Sequence, residues 1–187
     1  GSGNDVNIAL LNGARKITAV EIDPVIASLG KAFNRMKPYD NQAVELVIDD
    51  GRHFLKNTDQ TYDLVIFGTL DSQTLLTGQA NLRLENYIYT VECFRDVKKV
   101  LSDGGMVAAY YSVYKWWFWG RIYRTISEAF PGATVSTKFQ NNYLFNTVVI
   151  GAKNIPEFKS SPEQEKAFSS FLPSTDDWPY IYLAHPT

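Results

Sequence analysis

The stretch Lys16-Ile17-Thr18-Ala19-Val20-Glu21-Ile22-Asp23-Pro24 decides the fold. Its first seven residues are mostly apolar and β-branched and read as a strand. Pro24 suits the first turn of a helix, and residues 24–36 carry the helical pattern onward. The same switch of period recurs down the chain. Residues 44–48, 62–67 and 105–111 read as further strands, and residues 52–56 and 84–101 read as helices between them. Strand and helix signals that alternate in this way imply crossover units on a mainly parallel sheet, so the expected class is α/β.

Within residues 84–101, Leu84, Tyr87, Ile88, Val91, Phe94, Val97 and Leu101 fall at helical spacing, and Ser102-Asp103-Gly104-Gly105 is expected to end that helix with glycines. A further helix is predicted over residues 114–130, where Trp116, Trp119, Tyr123, Ile126 and Phe130 share one face as a buried stripe. Trp117, Phe118 and Ile122 lie off that stripe, and pack either beneath the C-terminal tail or against a membrane or partner. Residues 133–139 and 143–152 flank the polar turn Gln140-Asn141-Asn142 and read as a C-terminal antiparallel hairpin. The expected organisation is one domain over residues 1–153 and a tail over 154–187, with a linker, an amphipathic segment at 162–171 and an aromatic terminus.

Composition narrows the function. The 187 residues are 45% hydrophobic and 20% charged, which is enough apolar material for a core. Eighteen Lys and Arg against 20 Asp and Glu give a formal charge of -2, and no broad footprint for nucleic acid. Cys93 is the single cysteine and only His53 and His185 could join it, so neither a disulfide nor a structural metal site is expected. Cys93 lies inside a helical pattern and reads as core, and His53 as local packing. No apolar run reaches the roughly 18 to 20 residues of a membrane span, and the first residues lack the pattern of a signal peptide.

Three loops could carry chemistry. Gly1-Ser2-Gly3-Asn4-Asp5 precedes a short helical pattern, and Glu21 follows about twenty residues later at the end of a strand. Glycines at Gly1 and Gly3 let backbone approach a ligand, and an acidic residue at that spacing accepts hydrogen bonds from ribose hydroxyls. The glycines alone are weak, because Gly1-Ser2-Gly3 is also what cloning leaves behind. Ile48-Asp49-Asp50-Gly51-Arg52 ends the next strand, where Asp50, with Gly51 beside it, can accept from an adenine amino group. The simpler reading is that Asp49 or Asp50 caps the following helix. Gly68-Thr69-Leu70-Asp71-Ser72 follows the third strand, and Asp71 is either a general base or an ordinary turn residue.

Together these motifs resemble the spermidine synthase family. Val20-Glu21-Ile22-Asp23-Pro24, Asp50-Gly51-Arg52-His53-Phe54-Leu55, Tyr62-Asp63-Leu64-Val65-Ile66 and Tyr89-Thr90-Val91-Glu92-Cys93-Phe94 carry the likeness, which runs from Gly3 to about Ala152. It is nearest to the domains of this kind fused to bacterial membrane proteins. The resemblance implies a Rossmann-like fold of the S-adenosylmethionine-dependent methyltransferase type. It also implies that Glu21 binds the ribose of S-adenosylmethionine or decarboxylated S-adenosylmethionine and that Asp50 holds the adenine. Thr175-Asp176-Asp177-Trp178-Pro179 is similar to the stretch before membrane helices in the fused proteins, which implies the cytoplasmic side of an inner-membrane protein.

Two departures from the family pattern bear on activity. The family loop after this strand carries two aspartates, a base and an amine-binding residue, and here the first aligns with Gly68 and the second with Asp71. A glycine accepts no proton, so ordinary putrescine chemistry is in doubt, and Asp71 is left as the one candidate catalytic residue. The family sheet also begins with a central strand that feeds the glycine loop, and none precedes Gly1. Its loss would expose backbone groups and apolar surface and favour a homo-oligomer. The expected function is transfer of an aminopropyl or methyl group to an unidentified acceptor. The rival is a catalytically silent domain that senses a nucleoside or serves as a scaffold in a membrane protein.

Overall fold

The computed structural model describes residues 1–68, 84–113, 115–139, 145–155, 157 and 159–182. The chain divides into two compact units, Gly1–Thr58 and Asp59–Thr187.

The first unit runs α1 (Asn4–Leu11), β1 (Ile17–Glu21), α2 (Pro24–Phe33), a 3-10 turn (Pro38–Asp40), β2 (Val44–Ile48) and α3 (Gly51–Asn57). β1 and β2 pair in parallel from Ile17 opposite Val44 to Glu21 opposite Ile48. Asp23 starts α2 by accepting the amides of Val25 at 2.7 Å and Ile26 at 3.4 Å, and this cap places Glu21 just ahead of a helix start. α2 stops at Phe33, three residues short of the expected end. Asn34 turns extended, and the Lys37 ammonium donates to the carbonyls of Ala32 at 2.7 Å and Lys31 at 3.1 Å, which satisfies the helix end. Only Ala27 and Gly30 of α2 are buried, while Val25, Ile26, Leu29 and Phe33 are exposed.

The second unit contains β3 (Tyr62–Phe67), a 3-10 segment (Leu84–Tyr89), α4 (Val91–Val100), β4 (Leu101–Val113), α5 (Trp116–Ala129), β5 (Thr134–Phe139), β6 (Phe145–Ala152) and α6 (Pro162–Phe168). Its sheet has the order β3-β4-β6-β5. β3 and β4 are parallel, and β6 pairs antiparallel with both β4 and β5. The parallel pairs and the antiparallel hairpin agree with the expected α/β class, while the turn at residues 140–142 lies outside the described residues. Among the described residues, β1 pairs only with β2 and β3 only with β4. The core alternates along β4, where Val107, Ala109, Tyr111 and Val113 are buried, as are Phe94 and Val97 of α4 and Ile122 and Ile126 of α5.

Three expectations need correction. The single helix over residues 84–101 is two elements, because Thr90 is extended (φ −107°, ψ 157°) and caps α4 through its hydroxyl on the amide of Cys93. Glycines do not end that helix. α4 stops at Val100 with an extended Leu101, and residues 102–105 belong to β4, where Gly104 takes φ 77° and donates to the carbonyl of Lys153. The buried stripe of α5 is wider than expected: Tyr123, Ile126 and Phe130 are buried as predicted, but the stripe fails at its start. Trp116 is 53% exposed, whereas Phe118 and Ile122, which lie off the stripe, are buried.

The cause is the tail. Arg121 is buried in α5 and donates to the carbonyls of Leu172, Tyr180 and Ile181, with its guanidinium over the rings of Trp178 at 4.6 Å and Trp117 at 5.4 Å. Phe118 stacks on Tyr182 with ring centroids 4.9 Å apart. The face carrying Phe118 and Arg121 therefore receives residues 172–182, while Trp116, Trp119 and Tyr123 of the stripe pack on Phe168 of α6. Ser174 accepts the amide of Val91, and Asp176 accepts the hydroxyl of Thr90 at 2.7 Å, so the tail also grips the start of α4. No helix among the described residues is long and apolar enough to cross a membrane.

Candidate functional site

Glu21 ends β1, and its carboxylate is half-buried with both oxygens engaged. Oε1 accepts the amide of Asp23 at 2.9 Å, and Oε2 lies 2.5 Å from the nitrogen of Gly1. These contacts hold the Glu21 carboxylate beside Gly1. The ladder continues one step beyond the paired strands, because the amide of Asp49 donates to the carbonyl of Glu21 at 3.1 Å. That bond sets the β2 turn beside the end of β1.

Asp50 follows as the cap of α3, with Oδ1 accepting the amide of His53 at 2.8 Å and Gly51 as the first helical residue. The capping reading of the sequence is therefore right for one oxygen. A carboxylate has two, and the second can still take an incoming N–H. The neighbouring Asp49 is engaged elsewhere, since its Oδ2 lies 2.8 Å from His53 Nδ1 and its Oδ1 accepts the amide of Asp50 at 2.8 Å. The His53 hydrogen bond, helped by the Asp50 amide and the His53 charge and opposed by desolvation, holds the Asp49 carboxyl below its ordinary range.

The glycines are required by contact. Gly3 has φ 87°, and a Cβ there would stand 2.7 Å from Pro38 Cγ. At Gly30, inside α2, a Cβ would meet the carbonyl oxygen of Gly1 at 2.5 Å, so this glycine lets the loop lie on the helix. Sequence reading misses the residues that fix the loop. Tyr39 donates to the carbonyl of Gly1 at 2.8 Å and Asn34 to that of Ser2 at 2.9 Å. Only Gly30, a glycine interrupting an apolar helix, leaves a signal. Burial first, and then the charges of Glu21 and Asp5, push the Tyr39 phenol above its ordinary pKa and keep it a donor.

An open cavity of about 540 Å³ lies between this loop and α2, lined by Ser2, Asn4, Ile26, Leu29, Phe33 and Arg35 among others. Neither Glu21 nor Asp50 lines it, so it is separate from the carboxylates.

The first unit thus brings together Gly1, Gly3 and Glu21, and sets Asp50 and Gly51 at the end of the adjoining strand. In the second unit Gly68 follows β3 and is buried, while Asp71 lies outside the described residues. Among the described residues no group of three His, Cys, Asp or Glu side chains could hold a metal ion.

Comparison with known proteins adds the family. The chain is 33% identical over 112 residues to a polyamine aminopropyltransferase of Sulfolobus acidocaldarius, which covers 57% of this chain and 35% of the relative. It is 29% identical over 145 residues to the corresponding protein of Korarchaeum cryptofilum, covering 74% of this chain and 42% of the relative. The matches therefore span less than half the length of these curated relatives. Among solved structures, a spermidine synthase in complex with the transition-state analogue AdoDATO superposes with a TM-score of 0.65 at 18% identity, over 99% of this chain and 62% of that one. Human methyltransferase-like protein 13 in complex with SAH gives 0.61 at 15% identity, over 95% and 82%. Such likeness shows the fold, which is of the Rossmann-like methyltransferase type. The family model for the spermine/spermidine synthase domain matches residues 6–146, three quarters of the sequence, and the chain belongs to that family.

Proposed function

We propose that this domain binds an S-adenosyl nucleoside, S-adenosylmethionine or its decarboxylated form, with Glu21 on the ribose hydroxyls and Asp50 on the adenine amino group. It then serves transfer of an aminopropyl or methyl group to an acceptor. One observation carries the reading: a carboxylate ends β1 against the glycine loop, and a second follows two residues after the end of the adjacent, in-register parallel β2. An ionised carboxylate facing two hydroxyl donors makes charge-assisted hydrogen bonds, the strong kind. The structural neighbours in complex with the transition-state analogue AdoDATO and with SAH support a ligand of this class.

In such a transfer the enzyme aligns the sulfonium carbon with the attacking nucleophile and keeps water away. Asp71 is the residue proposed to bind or deprotonate an amine acceptor. Gly68 favours a second reading, a catalytically silent nucleoside-binding domain within a membrane protein, because the position of the family base carries no side chain. Calorimetric titration with S-adenosylmethionine, its decarboxylated form and methylthioadenosine, followed by assay with putrescine, separates the two. Binding with turnover supports the enzyme, and binding without turnover supports the silent domain. A folded chain that binds none of the three ligands would refute both.

A further inference from the structure

Three successive carbonyls of the glycine loop are already taken. Gly1 accepts from the Tyr39 hydroxyl at 2.8 Å, Ser2 from the Asn34 side-chain amide at 2.9 Å, and Gly3 from the backbone amide of Asn7 at 3.0 Å. Asn34 is itself fixed, because its Oδ1 accepts from Asn7 Nδ2 at 3.1 Å and from the amide of Met36 at 3.0 Å. Tyr39 sits in the turn Pro38–Asp40, against which Gly3 packs.

A trans peptide sets its C=O and N–H in opposite directions. Holding the carbonyls of Gly1 and Ser2 on the side of Tyr39 and Asn34 therefore turns the amides of Ser2 and Gly3 to the other side. A loop with two glycines would otherwise sample many backbone conformations, and a ligand would have to order it on binding. The loop lies against Glu21, which is on the strand that does not carry Asp50. A nucleoside with its adenine at Asp50 and its ribose at Glu21 thus extends its 5′ end toward the loop.

We propose that Tyr39 and Asn34 are positioning residues for the 5′ substituent of the nucleoside, presetting the Ser2 and Gly3 amides that receive it. The proposal rests on the nucleoside reading above and adds which part of the ligand depends on these two side chains. Adenosine, which has only a hydroxyl at that position, should depend on them little. S-Adenosylmethionine, whose substituent ends in a carboxylate that accepts amide N–H bonds, should depend on them most.

The test is calorimetric titration of the 187-residue chain and of its Tyr39→Phe and Asn34→Asp variants with adenosine and with S-adenosylmethionine, alongside the melting temperature without ligand. Tyr39→Phe removes only the donor, and Asn34→Asp keeps the acceptor used by Met36 while losing the donor to Ser2. Each variant should weaken S-adenosylmethionine about five- to tenfold, the size of one lost hydrogen bond, and adenosine by less than about twofold. Equal loss for both ligands, or no loss for either, overturns the positioning role and leaves the nucleoside site standing. Failure of both variants to fold assigns the pair a structural role and overturns the proposal. If wild type binds neither ligand, the nucleoside reading fails and takes this one with it.

Discussion

Phe94 and Phe33 carry the same side chain in opposite surroundings. Phe94, on α4, is 1% exposed and lies 5.2 Å from the ring of Phe67, whereas Phe33, at the end of α2, is 77% exposed. The contrast runs through the two units. The second buries Tyr89, Phe94, Ile122, Tyr123, Ile126 and Phe130, while the first buries Val6 and Ala27 and leaves Ile26, Leu29 and Phe33 outside. What the first unit has is polar and local: caps on Asp23 and Asp50, and side chains on loop carbonyls. The lesson is a division of labour, with packing energy concentrated in one unit and loop-shaping hydrogen bonds in the other.

The comparison breaks first if the two phenylalanines behave alike. Phe94→Ala should cost about 3 to 5 kcal/mol of stability, as large-to-small changes in a closed core do. Phe33→Ala should change it by less than about 0.5 kcal/mol, as an exposed site does. Urea unfolding of both variants gives the numbers. A cost of several kcal/mol at Phe33 would mean that this face of α2 is covered in solution.

Glu21→Ala tests the other half. Loss of the carboxylate proposed to face two ribose hydroxyls should weaken nucleoside binding by about 1.5 to 3 kcal/mol, with the urea midpoint little changed. Unchanged affinity removes Glu21 from the ribose, and a collapsed fold makes it a structural residue.

A smaller effect is expected at the clip between tail and α4. Thr90→Val removes the cap on Cys93 and the hydroxyl bound to Asp176, and should cost about 0.5 to 2 kcal/mol. If thermal unfolding of that variant matches wild type, the tail is held by Arg121, the bonds of Ser174 and the aromatic contacts without help from the Thr90 hydroxyl.

This clip also marks where sequence reading stops. Strands 44–48 and 62–67 are legible to the residue, because apolar β-branched runs bounded by polar turns depend on nothing distant. The spacing from Leu84 to Val97 passes through Thr90 without a flaw, yet the break there is held by Ser174 and Asp176, far along the chain in the tail. Arg121 is invisible for the same reason, since its partners are tail carbonyls. In the candidate site, Glu21 and Asp50 can be found because strand ends have a pattern. Tyr39 and Asn34 cannot, because hydrogen bonds to backbone carbonyls leave no signature in side-chain order.

The smallest effect sharpens the polar side of the comparison. The Asp49 carboxyl lies below its ordinary value chiefly because His53 hydrogen-bonds to it. For a carboxyl depressed by folding, the stabilisation is present above the unfolded value of about 3.9 and is lost as pH falls through the lower native value. This part of the stabilisation is therefore lost in acid. His53→Ala removes the largest cause, so the native Asp49 titration should move up toward the ordinary range, while the cap of Asp50 on α3 persists because it uses the backbone amide of residue 53. Carbon-detected NMR titration of the Asp49 carboxyl in wild type and variant reads this directly. Identical titrations would mean that the Asp50 amide, and not the imidazole, sets the Asp49 charge.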